Sequence, residues 1–339
     1  MEQRLPDRIQ RIIAAFLLVG LFVGVLIGGL QMGSFDFSAY EIVSILFGGE
    51  HENAYVIWDL RIPRLILALN TGAILALSGF FMQVLIRNPL ADPYIMGLTA
   101  GAGFGVNLVI LGLIPIVHFS IFTIPSSAIL GSLVSLLLIF LLGFRAFFED
   151  NAKLLIAGVA VSSIFTALTG LFIYRFADEN ELKEVIFWTF GSFARAHWPA
   201  VYISSALLVM AIGFGWAYAR RLDIMMLGDM AAHSLGMNII RAKMVLLVFT
   251  SVIVGGVVAF TGPIGFVGMM IPHFSRSLFG ALHRPNIFLG SLMGATYLCG
   301  CDVASRWILP PAGLPIGIVT AILGVPFFLY ILFSHKSVL

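Results

Sequence analysis

An all-α, polytopic membrane protein of about ten transmembrane helices is the fold class this sequence predicts. Three observations predict it. Of 339 residues, 60% are hydrophobic and 11% charged, against roughly 45–50% and about 25% in a soluble domain, and the mean hydropathy is +1.04. The charges that exist are separated by runs long enough to cross a hydrocarbon core, which takes about 20 apolar residues. The 35 glycines recur at small-x-x-x-small spacing, as in Gly101-Ala102-Gly103-Phe104-Gly105 or Gly255, Ala259, Pro263 and Gly265, which lets helix backbones approach closely in lipid. The composition excludes a soluble globular protein, a disordered chain and a secreted disulfide scaffold.

The spans follow in order from the gaps between charges. Arg11 and Asp36 bracket the first, over 12–32, and Arg64 and Arg87 the second, over 65–86. The charge-free stretch Pro93 to Phe144 holds two, over 94–113 and 122–144, with a turn near Leu113-Ile114-Pro115-Ile116. Lys153 and Arg175 bracket 154–174; Arg195 and Arg220 bracket 197–219. Met244 to Ser275 breaks at Thr261-Gly262-Pro263, giving 241–261 and 264–282. The C-terminal stretch divides at Pro310-Pro311-Ala312-Gly313 into 286–304 and 314–334. Residues 1–339 thus read as one transmembrane domain. Arg4, Arg8 and Arg11 ahead of an apolar run resemble a secretory signal, but the run is too long and lacks a small-x-small cleavage site, so it reads as a retained span.

An even number of spans puts both termini on one side, and the Lys/Arg bias chooses the inside. The inner segments then hold 13 of the 19 basic residues, and the outer ones hold ten of the 17 acids. The outer Arg61, Arg64, Arg175, Lys183, Arg195 and Arg306 run against the trend.

Several chemistries lack support. No span carries an acid near its middle, which disfavours an ion-coupled carrier. His273 and His283 are not spaced for one helical face, so a metal site is disfavoured; Cys299 and Cys301 read as inert packing. None of Lys153, Lys183, Lys243 and Lys336 follows a glycine, so the chain has no P-loop, and any ATP is bound by another chain. Neither a G-x-S-x-G elbow nor an H-E-x-x-H pair occurs. The near-neutral net charge of +2 suggests no nucleic-acid partner.

Two segments read as interfaces. The inner loop Arg220 to Lys243 is not loop-like: Asp229 can cap a short helix through Leu235, and Gly236 can end it. Met225, Met226, Leu227, Met230 and Leu235 must bury apolar surface on the protein's own helices, on headgroups or in a cytosolic partner. On the outer side, Arg64 beside Arg61 and Pro63 is either a snorkelling anchor or, with Arg306, a basic set facing an acidic partner. Asp178 to Glu184 reads as a solvated face.

The motifs Arg61-Ile-Pro-Arg64, Leu77-Ser78-Gly79, Gln83, Arg87-Asn88-Pro89-Leu90-Ala91-Asp92-Pro93 and Gly97 resemble the first half of the FecCD-type permeases. Leu227-Gly228-Asp229, Ala231-Ala232, Leu235-Gly236, Gly262-Pro263-Ile264-Gly265-Phe266, Pro272-His273, Arg276, Asp302, Arg306 and Leu314-Pro315-Ile316-Gly317 resemble the second. These are membrane subunits of ABC importers for ferric siderophores, haem and cobalamin, with ten spans in the type II importer fold. The resemblance implies a bacterial inner-membrane permease, a homodimer or a pair of related subunits, with a path on the two-fold axis. It also implies two cytoplasmic ATPases carrying ATP and Mg and a binding protein outside; the permease itself is no enzyme and holds no cofactor. A coupling segment over about 222–238 is implied, with Leu227, Gly228, Asp229, Ala231, Ala232, Leu235 and Gly236 meeting the ATPase. Arg61, Arg64 and Arg306 would meet the binding protein. Asn88, Pro89 and Leu90 would form part of the cytoplasmic gate, with the region Glu149 to Ala160 as its other part. The expected cargo is an iron chelate, with haem or cobalamin next and molybdate behind; an ion-coupled carrier is the rival class. One departure is Gly313, where the family usually carries an acid before Leu-Pro-x-Gly.

Overall fold

The computed structural model describes residues 8–33, 35, 37–49, 51–94, 96–114, 122–143, 151–310 and 313–334. In chain order these form α1 (Arg8–Gln31), α2 (Ala39–Leu46), a π-helical turn (Val56–Arg61), α3 (Ile62–Ile86), α4 (Leu98–Ile110), α5 (Thr123–Gly143) and α6 (Asn151–Phe176). There follow α7 (Glu179–Thr189), α8 (Trp198–Met226), α9 (Asp229–Ser234), α10 (Ile239–Thr261), α11 (Val267–Phe279), α12 (His283–Ile308) and α13 (Ile316–Ser334). Every predicted span contains a helix, and no strand occurs among the described residues. The additions are α2 and α7, each started by a capping box: Ser38 with Glu41, and Asp178 with Glu181. Such a box satisfies amides that a helix start leaves unbonded. The 178–184 stretch, expected as a solvated face, is exposed to half-buried and forms the start of α7.

The hub is α3, with 21 of its 25 residues buried, and α8, α10, α11 and α12 pack around it. Glycine makes this possible. A Cβ on Gly79 would strike the Gly268 carbonyl, and one on Gly72 would strike Gly294, so α3 meets α11 and α12 at backbone contact. Polar groups inside the bundle find partners: Asn70 Nδ2 donates to Ser204 at 3.0 Å and Ser205 at 2.9 Å. Helices far from the hub, such as α1, leave Ile9, Phe16 and Leu17 exposed, as a surface facing lipid would.

Among the described residues, seven helices are long and apolar enough to cross a membrane. Among the predicted full spans, 94–113 and 264–282 are corrected, because α4 and α11 hold only 13 residues each, or about 20 Å. Both are entered by irregular chain that Pro93, Gly97, Gly262 and Pro263 keep from being helical. Such backbone survives at membrane depth only if the protein bonds it, and at each break a bond is supplied: Ser192 N donates to Thr261 O at 2.8 Å before α11, and Ser135 Oγ of α5 donates to Gly97 O at 2.8 Å before α4.

The ends sort into two faces. Arg11 of α1 lies against Gly280 after α11, His283 at the start of α12 bonds Asp223 near the end of α8 at 2.6 Å, and the chain after α3 meets α9. These ends share what is called here the α9 face. The end of α1, the starts of α3 and the end of α12 share the opposite face, beside a small core of Phe37, Ile42, Ile45, Val56 and Ile57.

Candidate coupling helix, candidate gate segment and an apolar cavity

The α9 segment presents apolar surface outward. Met230 is 87% exposed, Leu227 66% and Leu235 64%, while Ala232 is fully buried and seats the helix on the bundle. Gly236 ends α9 with φ 81°, as the sequence suggests. The start differs: Gly228 occupies the N-cap without a side-chain bond, and the Asp229 carboxylate is used elsewhere. It holds Lys243 Nζ of α10 at 2.8 Å and Arg87 Nη2, just beyond α3, at 3.2 Å. The Lys243 side chain is only 4% exposed, so this carboxylate offsets a buried cation.

Arg87 opens the segment that contains Asn88, Pro89 and Leu90. It ends α3 in the left-handed region, φ 53°, and turns the chain back toward the bundle. Asn88 Oδ1 accepts the Leu90 amide at 2.9 Å, a local turn that Pro89 permits. Ala91, Asp92 and Pro93 are buried. Asp92 Oδ1 accepts the Tyr94 amide at 2.7 Å, and the carboxylate also accepts the Met269 amide in the first turn of α11. Since Phe266, the N-cap of α11, has no side-chain bond to give, Asp92 supplies the anionic cap from another part of the chain. Gln83 of α3 supports the same turn, donating to Gly268 O at 3.2 Å and Met269 O at 3.1 Å and accepting from Arg276.

Next to the α11 start is a cavity of about 360 Å³, walled by Tyr94, Phe190, Pro263, Phe266, Ile318 and Ile322. No charged side chain lines it. Phe266 takes φ 71°, strained for a non-glycine residue, and packs on Gly324, where a Cβ would collide with its ring. Four stretches meet at this wall: the gate segment, the end of α7, the α10–α11 break and α13. Of the gate's expected second part, Glu149 and Asp150 lie outside the described residues.

On the opposite face the three predicted arginines gather around the ends of α1 and α12. Arg64 binds Asp302 bidentately, with Nη2 to Oδ1 at 2.7 Å and Nε to Oδ2 at 3.1 Å, and Arg306 Nε lies 3.2 Å from the same carboxylate. Arg306 also donates to Met32 O at 2.8 Å and Gly29 O at 3.2 Å. Arg61 donates to Gln31 O at 2.9 Å and to Leu30 and Phe35 O. Arg61 and Arg306 therefore cap the carbonyls that α1 leaves unbonded at its C-terminus. Both are buried, at 5% and 9% exposure. Gly313, where the resemblance leads one to expect an acid, sits at φ 76° beside Ser305 and Arg306, a backbone that favours glycine. Sequence reasoning named Asp92 and Gln83 only as members of motifs, and it gave no sign of their contacts with α11 or of the link from Asp229 to Arg87, all of which join distant stretches.

Residues 16–334 match the FecCD transport family. The hemin transport system permease protein HmuU of Yersinia pestis is 34% identical over 97% of this chain and 98% of its own length. The molybdate import system permease protein MolB of Haemophilus influenzae is 32% identical over 98% of each. A solved ABC transporter described as of a metal-chelate type, in an inward-facing conformation, superposes with a TM-score of 0.82 and 31% identity over 95% of this chain and 99% of that one. A family match across almost the whole chain, on a bundle of apolar helices, means that this chain belongs to the FecCD transport family and is a multi-pass membrane permease of an ATP-binding-cassette importer.

Proposed function

We propose that the chain forms a homodimer that moves an iron chelate across a bacterial inner membrane, with both termini and α9 in the cytoplasm. ATP and Mg belong to two partner ATPases, and a binding protein delivers the cargo from outside. The observation that carries this reading is the path from α9 to the cavity wall: the ion pair of Asp229 with Arg87, the short chain from Arg87 to Asp92, whose turn is closed by the Leu90 amide on Asn88 Oδ1, and the bond of Asp92 to the first turn of α11. An ATPase cleft gripping Leu227, Met230 and Leu235 would pull on the gate segment, and the gate segment would shift the wall of which Phe266 is part. Leu227, Gly228, Asp229, Ala231, Ala232, Leu235 and Gly236 serve as the coupling helix and its turns. Asn88, Pro89 and Leu90 close the path on the cytoplasmic side.

At the outer face we assign docking of the binding protein to the platform built on Arg61, Arg64 and Arg306. Arg64 is the most accessible of the three, its side chain 17% exposed. An uncharged cavity walled by Tyr94, Phe190 and Phe266 suits an organic chelate; an oxyanion would call for a positive charge, and no charged side chain is in this lining. Haem and cobalamin are the next choices.

The experiment is uptake into proteoliposomes holding the permease with its ATPase. Import of a ferric chelate that requires both ATP and the cognate binding protein supports the proposal. Uptake by the permease alone under an ion gradient would refute it, and import of molybdate instead would keep the machine and replace the cargo.

A further inference from the structure

The geometry points to a binding site for an anionic phospholipid in the notch between α8 and α10, on the α9 face. Here an open cavity of about 350 Å³ is lined by Tyr218 and Arg221 of α8, by Leu235, Met237 and Asn238 of the turn after α9, and by Arg241 of α10. Both charges in the lining are guanidiniums, and no carboxylate lines it. Among the described residues neither Arg221 nor Arg241 makes an ion pair. Arg221 lies over the Tyr218 ring at 4.8 Å, which fixes its plane while leaving its N–H edge available. The first turn of α10 lines the same cavity, with Asn238 Oδ1 bonding the Arg241 amide at 2.9 Å, so the positive end of that helix adds to the field.

Depth identifies the occupant. Trp198, stacked on Tyr202 at the start of α8, and the exposed Trp216 are 18 residues apart on one helix, or about 27 Å, close to the thickness of a hydrocarbon core. Aromatic residues so spaced mark its two interfaces, and Arg221, little more than one turn beyond Trp216, lies at the level of the headgroups. Guanidinium forks fit phosphate oxygens, and the glycerol and upper acyl chain would run toward the membrane past the Tyr218 ring and Ala242, which lie on that side of the two arginines. An amine headgroup would meet only positive charge, which selects a net anionic lipid. A lipid held here braces Leu235 and the turn that ends α9. The inference rests on the chain's place in a membrane and is independent of its cargo.

The test uses full-length permease in nanodiscs that mix phosphatidylglycerol with phosphatidylcholine, with the retained lipid read by native mass spectrometry. Two guanidiniums at about 1 kcal/mol each correspond to a preference of about 30-fold for phosphatidylglycerol, which Arg221→Gln with Arg241→Gln should abolish. Equal retention of the two lipids by the unaltered protein would overturn the proposal whether or not the double variant folds. So would a preference that survives in a folded double variant. Inorganic phosphate protecting the unaltered protein against heat as well as phosphatidylglycerol does would assign the cavity to a free anion, and displacement of the lipid by the ATPase would assign it to that subunit.

Discussion

Arg87, the first residue after α3, and Asp229, the first residue of α9, are joined by an ion pair of 3.2 Å, so the segment expected to gate the path and the helix expected to meet the ATPase are held by one contact. The same carboxylate holds Lys243. Neither the gate nor α9 can shift far without breaking this node or carrying the other along.

Replacing Asp229 should do two things. Lys243 loses the carboxylate that offsets its burial, a loss of about 3–5 kcal/mol for a buried pair broken on one side, lessened here because Asp229 is a third exposed. Asp229→Lys should therefore lower the melting temperature and separate ATP hydrolysis from uptake while the protein stays in the membrane. Thermal unfolding in detergent and paired hydrolysis and uptake assays measure both; unchanged values in both would remove the node from the account.

Leu235→Asp and Met230→Asp place a charge on side chains that are 64% and 87% exposed, so the permease itself should fold as before. Co-purification of the ATPase should fall by tenfold or more, since burying an unpaired carboxylate in an apolar cleft costs several kcal/mol. An ATPase that still co-purifies in full would show that α9 docks elsewhere.

The arginines of the opposite face should separate by role. Arg61→Gln removes charged donors from the α1 carbonyls, each worth about 1.5–3 kcal/mol, and should lower the melting temperature by several degrees. Arg64→Gln leaves Asp302, 1% exposed, with Arg306 alone; adding Asp302→Asn should recover part of the loss. If docking of the binding protein weakens with Arg64→Gln in the Asp302→Asn background, whose stability is restored, the outer platform is a docking surface. If docking is unaffected there, the three arginines serve the fold alone.

Gly79→Ala should be among the most damaging single-methyl changes in the chain, because the added carbon meets the Gly268 backbone, which cannot rotate away. Gly170→Ala, where nothing lies within 4 Å, should be neutral or slightly stabilising. Yield and melting temperature of the two variants give the comparison, and equal behaviour would contradict the backbone contact between α3 and α11.

The residues show why parts of this were legible and parts were not. Leu227, Met230 and Leu235 stood out because apolar side chains in a loop between charges have no local reason to be there. The helix positions followed from missing charge, but that rule cannot distinguish a full crossing from a half helix preceded by buried irregular chain, so α4 and α11 were expected too long. Gly262 and Pro263 were visible as breakers; the depth of the break was not. Asp229 reads as a helix cap by its local neighbours, and only the fold brings Arg87 and Lys243 to it. Arg61 and Arg306 were conspicuous as basic residues against the charge trend, yet the carbonyls they satisfy belong to α1, and sequence carries no sign of that meeting. Asp92 stood out only as a member of a motif, because the Met269 amide it accepts lies far along the chain.

The most direct test of the account is uptake per ATP hydrolysed by Arg87→Gln. This change leaves Asp229 bound to Lys243, so α9 keeps its seat and its ATPase, and only the link to the gate segment is lost. With the ATPase and binding protein present in proteoliposomes, hydrolysis should continue near its original rate while uptake per ATP falls by tenfold or more. Uptake per ATP equal to that of the unaltered protein would contradict the claim that α9 drives the gate through Arg87.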